Sequence, residues 1–285
     1  MIRTWKLTNI STEEMYFADM ASLDAIARQL PEGYYSTFRT FEGGTRVLGL
    51  TAHLRRLYAP VATPEVSAAS LRQQLRLLLD LYRPGEARVR TIMTRQGQSY
   101  IAIEPLKPLP REVYEKGVGV ETTELQRENP RLKSTVFIGA SDLERRHIAQ
   151  EGIFEALLVK NGKILEGMTS NFFYVQYPRV GPLNQRGSAS REPILCTART
   201  GILLGVTRKT VIDLAQARGL PVKYRPLKHA QFEAVDEAFI TSSSRGIVPV
   251  VQIDKVTIGQ GSPGPVTQQL LAAYEAYVIE KAERI

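Results

Sequence analysis

An acid at the end of a strand is the first group whose position suggests chemistry. Asn161-Gly162 sits between two apolar runs, a strong signal for a two-residue hairpin because both turn positions need positive φ. The return strand ends at Glu166-Gly167, and the small polar stretch Thr169-Ser170-Asn171 precedes the next apolar strand. An acid there, beside small polar residues, suits a site, although a solvated strand-end carboxylate is the commoner reading of the pattern alone. The stretch 201–221 holds a second group. Thr207 is placed to cap a following helix, Gly219-Leu220-Pro221 to stop it, and Gly205 to let backbone approach a ligand. Amides at such a helix start can bind a phosphate, although a plain capped helix has the same signature. The strand Glu237–Thr241 then runs into Ser242-Ser243-Ser244 and Gly246, which suit an anion or a polar turn. Arg56 suits an anion or solvent. Lys133 lies among Leu132, Val136, Phe137 and Ile138; an amine in apolar company loses basicity and becomes nucleophilic, but nothing local separates Lys133 from the other lysines.

These groups need strands and helices in alternation, which points to an α/β or α+β chain. Ser11-x-x-Glu14 has the form of a capping box opening a short helix. Tyr34–Phe41 and Arg46–Leu50 read as strands around Glu42-Gly43-Gly44, and Ala52–Tyr58 as a helix stopped by Pro60. Leu71, Leu75, Leu78 and Tyr82 recur at helical spacing within Glu65–Tyr82. Ala87–Thr94 and Ser99–Glu104 form a further strand pair. Three prolines in Pro105–Pro110 stiffen the chain, and the domain boundary is expected there. The expected division is a small domain over residues 1–107, a linker over 108–113 and a large domain over 114–285. Helices are expected near Asp142–Gln150, Arg208–Arg218 and Val266–Lys281. The Gly-, Pro-, Ser- and Arg-rich segment Pro178–Pro193 reads as an exposed loop.

The chain has 285 residues, 43% hydrophobic and 23% charged, an ordinary globular composition that excludes a collagen-like or disordered chain. Net charge is +8, but the basic residues come as scattered pairs such as Arg55-Arg56 and Arg145-Arg146, so no nucleic-acid partner is expected. Cys196 is the one cysteine, so neither an intrachain disulfide nor a cysteine-based metal site can form. With no apolar run near the ~18 residues of a membrane span, the chain is expected to be cytoplasmic, with no membrane partner.

Five blocks, in order, resemble the class IV aminotransferase family, which uses pyridoxal phosphate and includes branched-chain and D-amino-acid aminotransferases and aminodeoxychorismate lyase. They are GYYSTFRTFEGG with AHLRRL, the lysine of NPRLKS, GIFEALLVKNGKILEGMTSNFF, GILLGVTRKTVIDLA and DEAFITSSSRGIVPVVQID. The resemblance implies an α/β (α+β), two-domain fold-type IV enzyme like D-amino-acid aminotransferase, with its cofactor in the interdomain cleft and a homodimer as the assembly. It implies that Lys133 forms the Schiff base with the cofactor and that Glu166 pairs with the ring nitrogen. Arg56, Val206, Thr207 and Ser243 are similar to the family's phosphate ligands, and Leu203 to the residue packed on the ring. Tyr35, Arg39 and Ser244 are expected on the substrate side, with Arg39, Arg90 and Arg95 as candidate carboxylate binders.

Particular positions depart from the subfamilies. Branched-chain enzymes carry a tyrosine where this chain has Ile138 and a glutamate where it has Ser36. The D-amino-acid enzymes use an arginine and a histidine where this chain reads Arg95-Gln96-Gly97-Gln98. Tyr35–Thr40 looks more like the lyase, yet that enzyme's glycine- and arginine-rich loop is missing after Arg95. The expected function is transfer of an amino group between a small or apolar amino acid and a 2-oxo acid. The alternatives are a lyase of the aminodeoxychorismate type and a non-catalytic cofactor-binding protein.

Overall fold

The structure is a computed structural model that describes residues 1–178 and 192–285. Nearly all of the expected loop 178–193 therefore lies outside the described residues. The chain forms two units. The first contains Met1–Pro108, Asn129–Leu143 and Tyr277–Ile285; the second contains Leu109–Glu128 and Glu144–Ala276.

The first unit is built on a seven-stranded sheet in the order Glu283–Arg284, Arg46–Val47, Gly33–Phe41, Ala87–Thr94, Ser99–Pro105, Arg3–Leu7, Thr12–Met15. Neighbouring strands are antiparallel; Tyr35 pairs with Ile92 and Thr37 with Arg90. The helices Leu50–Tyr58 and Ala68–Asp80 supply the apolar cover. Ser67 caps the second of these by accepting from the Ser70 amide at 3.1 Å, which starts the helix three residues later than periodicity suggests. Leu71, Leu75 and Leu79 on its buried face are fully enclosed with Phe38, Leu50 and Leu57. Each such side chain contributes about 1.5–3 kcal/mol of burial.

The expected helix at Ser11–Glu14 is a strand. Thr12–Met15 pairs with Arg3–Leu7, and the Glu14 carboxylate binds Arg3 at 2.7 Å instead of returning to a helix start. A cross-strand arginine outcompetes the capping box. The expected strand Arg46–Leu50 shortens to Arg46–Val47, because Gly49 in a left-handed conformation (φ 66°) turns the chain into the helix at Leu50.

The expected division at 108–113 is incomplete. Residues Arg111–Lys116 are a helix within the second unit, and Leu109, Val113 and Tyr114 pack on that unit's core. Segments expected in the large domain belong to the first unit. The Tyr35 amide donates to the Lys133 carbonyl at 2.9 Å, Thr135 exchanges bonds with Gly33, and Ile138 packs with Tyr35, Ile92 and Tyr100. Glu283–Arg284 pairs with Arg46–Val47, and Glu283 accepts from Thr51 Oγ1 at 2.7 Å. These pairings join residues remote in sequence, which local patterns do not register.

In the second unit the strand order is Val222–Tyr224, Ile194–Thr197, Asn171–Gln176, Glu237–Ser242, Gly246–Ile253, Val118–Thr123, Ala156–Lys160, Lys163–Gly167, Leu227–Lys228. One further pairing, Asn171 with Glu166, joins the third strand of this list to the eighth. The six strands from Asn171–Gln176 through Lys163–Gly167 thereby close into a ring. Asn161 (φ 51°) and Gly162 (φ 66°) make the expected hairpin turn. The helix Val206–Ala217 packs its buried Val211, Ile212 and Ala215 inward, and Gly219 (φ 73°) stops it as expected. Glu237 accepts from the amides of Val266 (3.1 Å) and Thr267 (2.7 Å) at the start of the helix Pro265–Lys281. Among the described residues, no helix is long and apolar enough to cross a membrane.

His53, inside the first unit, makes folding pH-dependent. Burial, then the cations Arg56 and Lys133, push its pKa well below the ordinary 6.5. As pH falls through 6.5 the unfolded chain takes a proton that the native ring refuses, so stability is lost below that point. The expected outcome is that His53→Asn destabilises the protein at pH 7.5 by more than at pH 5, measured by urea unfolding. An equal loss at both values would show that the native ring titrates normally.

Candidate active site

Glu166 sits at the ring closure of the second unit and is almost wholly buried. Its carboxylate is held from three sides. Arg127 Nε donates to Oε1 at 3.0 Å; the Leu203 amide (2.9 Å) and Asn171 Nδ2 (3.3 Å) donate to Oε2. Arg127 also donates to the Met168 carbonyl, and its side chain is only 5% exposed. A buried carboxylate is stable when it is paired and hydrogen-bonded. This arrangement keeps Glu166 ionised and fixed in direction, the state needed to hold a proton on a ligand's ring nitrogen.

Asn171 extends the same network. Its Nδ2 donates to the Leu203 carbonyl at 2.8 Å, so both backbone groups of Leu203 are tied to the Glu166 cluster. Gly205 follows two residues later, and a Cβ there would lie 2.2 Å from Asn171 Oδ1. The glycine is required by this close approach, since its φ of −69° is open to any residue. Gly205 is also the helix N-cap, which corrects the expectation that Thr207 caps it. The helix begins at Val206, and Thr207 lies inside its first turn, buried. Gly205 offers no side-chain cap, so the first turn's amides depend on other acceptors. Thr207 Oγ1 and Ser243 Oγ are 3.4 Å apart, joining the helix start to the turn Ser243–Arg245. Two hydroxyls and a helix N-terminus form a donor set suited to a phosphate.

Arg245 fixes that turn. Its Nη2 donates to Glu155 Oε2 at 2.8 Å and Thr169 Oγ1 at 2.6 Å, and its Nε to Ser242 Oγ at 3.2 Å. The turn with Ser243 and Ser244 is thus tied to the segment following Glu166.

The first unit carries the other expected groups. Lys133 is partly buried, with Nζ 4.8 Å from the centre of the Tyr35 ring. Its surroundings are more aromatic and less enclosed than expected, since Val136 is exposed. Arg90 stacks on Tyr35 at 4.6 Å, donates to Thr37 Oγ1 at 3.0 Å and pairs with Asp24 at 2.5 Å. Arg56 donates to Ser36 Oγ at 2.8 Å, and its Nε is buried without a partner among the described residues. Burial draws its pKa down to about 10, so it remains charged at neutral pH. With no ion pair found for it among the described residues, this part-buried cation suits an anionic ligand.

Two expected substrate residues stand apart. Arg39 is four strand residues from Tyr35, about 13 Å, and stacks on Phe41 at 4.7 Å. Arg95 is more than half exposed and pairs with an exposed Glu32. Neither joins the Lys133–Tyr35 group. Sequence reasoning missed Arg127, Asn171, His53 and Arg245. His53 alone had a legible signal, lying three residues before Arg56 and so on the same helix face.

The family profile described as amino-transferase class IV matches residues 33–253. The chain is 24% identical over 284 residues to a D-alanine aminotransferase of Bacillus licheniformis, covering 90% of this chain and 91% of the relative. The fold is similar to that of the branched-chain amino acid aminotransferase of Escherichia coli, with a TM-score of 0.75, 20% identity and coverage of 99% and 96%. It is also similar to the PLP-bound form of a hypothetical aminotransferase from Mycobacterium tuberculosis, with a TM-score of 0.74, 18% identity and coverage of 98% and 99%.

The close contact at Gly205 has a measurable consequence. Gly205→Ala should lower stability by about 1–3 kcal/mol in chemical denaturation, the range for overpacking. An unperturbed variant would mean that Asn171 is not held where it is described.

Proposed function

Because this chain belongs to the class IV aminotransferases, which use pyridoxal phosphate, we propose that its amino donor is a small or apolar amino acid and its acceptor a 2-oxo acid. The observation that carries the substrate reading is the setting of Tyr35. It packs with Ala27, Ile92, Tyr100 and Ile138, and the cation stacked on it, Arg90, is already neutralised by Asp24. An apolar side chain suits such surroundings; a second carboxylate would have to displace Asp24. Ping-pong kinetics are expected, and the proposed assembly is a homodimer, which light scattering tests.

The residues present fit the cofactor. In the first unit Arg56 has no ion pair among the described residues and an orphaned buried Nε; in the second, Thr207, Ser243 and the Val206 helix start are a set of phosphate donors in their own right. Leu203 would pack against the ring. When bound, pyridoxal phosphate supplies an electron sink for the pair released at the substrate's α-carbon. Glu166 holds a proton at the ring nitrogen, its own charge kept in place by Arg127. Lys133 would hold the cofactor through Nζ, and that amine would serve as the general acid and base for the α-proton. Ser244 offers backbone to the substrate carboxylate.

Lys133→Ala should lower turnover by about ten-thousand-fold or more, with its thermal melt retained and its visible cofactor band lost. Glu166→Ala should keep cofactor binding and slow α-proton loss by roughly a hundredfold, read as exchange of the α-proton in deuterium oxide. An unchanged exchange rate removes Glu166 from the mechanism. The substrate class is tested by adding single L- and D-amino acids to the purified holoenzyme and following its visible spectrum. Conversion by alanine, valine or leucine supports the reading. Conversion by aspartate or glutamate alone overturns it.

A further inference from the structure

Arg56 is held by a small buried assembly that the proposed reaction does not use. Ser36 is fully buried on the strand Gly33–Phe41, and its Oγ accepts from Arg56 Nη2 at 2.8 Å. The same oxygen lies 2.8 Å from His53 Nδ1. Arg56 Nη2 also comes within 3.4 Å of His53 Nδ1. Arginine can only donate, so Nδ1 presents its lone pair on this side. The Ser36 hydroxyl then has one arrangement: it accepts from Arg56 and donates its proton to Nδ1. The ring proton is left on Nε2, which is buried without a partner among the described residues. An unpaired buried donor is costly to keep. The ring also packs on Phe38, with centroids 5.0 Å apart.

Charge makes the assembly unusual. Burial keeps His53 neutral, and Ser36 is neutral by nature. The guanidinium is therefore gripped by two groups that fix its direction and cancel none of its charge.

We propose that Ser36 and His53 are positioning residues for phosphate capture, a rigid neutral pair that aims Arg56 and leaves its charge uncompensated for the cofactor's phosphate. This rests on the reading of Arg56 as a phosphate ligand.

The test compares pyridoxal phosphate with pyridoxal, which lacks the phosphate, in absorption titrations of the full-length protein after removal of bound cofactor. Ser36→Ala should weaken pyridoxal phosphate roughly tenfold while changing pyridoxal by less than about twofold. In an Arg56→Ala background, Ser36→Ala should cause no further loss, because its role runs through Arg56. If both aldehydes weaken alike, or the losses add in full, the positioning role is overturned. If Arg56→Ala removes the preference for the phosphorylated form and Ser36→Ala does not, the positioning role alone fails. If Arg56→Ala keeps that preference, the phosphate reading of Arg56 fails and the positioning role with it. Should Ser36→Ala not fold, His53→Gln carries the same comparison under the same outcomes.

Discussion

A buried carboxylate that stays charged is the constraint on which the second unit turns. Glu166 lies where the strand ring closes, and three donors from separate segments meet on it. Arg127 comes from the stretch that leads out of the unit, Asn171 from the opposing strand, and Leu203 from the approach to a helix. Removing any one leaves a charge without part of its compensation in a low-dielectric setting. The network therefore does two jobs with one set of bonds. It holds the closure of the ring, and it fixes the direction of the group proposed to engage the cofactor ring.

The same economy governs the neighbouring turn and helix. Arg245 reaches back to Glu155 and Thr169, so the serine turn inherits the rigidity of the strand end beside Glu166. Gly205 has room only for a hydrogen because Asn171 occupies the space a side chain would need. The hydroxyls and helix start proposed to take the phosphate are thereby aligned by contacts that belong to the Glu166 cluster. The first unit uses a different device. There Arg56 is oriented by neutral partners, and Lys133 is fixed through its own carbonyl on the amide of Tyr35.

Much of this is legible in the residues alone. The hairpin at Asn161-Gly162, the position of Glu166 after it, and the helix stop at Gly219 each rest on a local backbone requirement, and local requirements can be read from a few neighbours. What escapes such reading is long in reach. Arg127 and Glu166 are 39 residues apart and share no pattern. The capping box at Ser11 is a genuine local signal defeated by Arg3 on the adjoining strand. Thr207 looks like a cap because threonine prefers that place, but Gly205 holds it, and that preference says nothing of how near Asn171 comes. The substrate arginines are the least legible. Arg39, Arg90 and Arg95 look alike in sequence, and only their partners tell them apart: a phenylalanine ring, a half-buried aspartate and an exposed glutamate.

The pairing of Glu283–Arg284 with Arg46–Val47 bears on how the protein is made. On the ribosome the first hundred residues emerge together, yet two of the pieces that finish their sheet come later. The segment bearing Lys133 arrives after the proline stretch, and the last strand follows the whole second unit. The first unit must wait with an open edge, while most of the second can fold as it appears. An open edge is a template for wrong pairing with other chains. Such long-range closure also slows folding, because the loop entropy is lost before the contact forms. The vulnerable interval in this protein's synthesis thus lies between the emergence of Lys133 and that of Glu283, when the lysine-bearing half is present but unsealed.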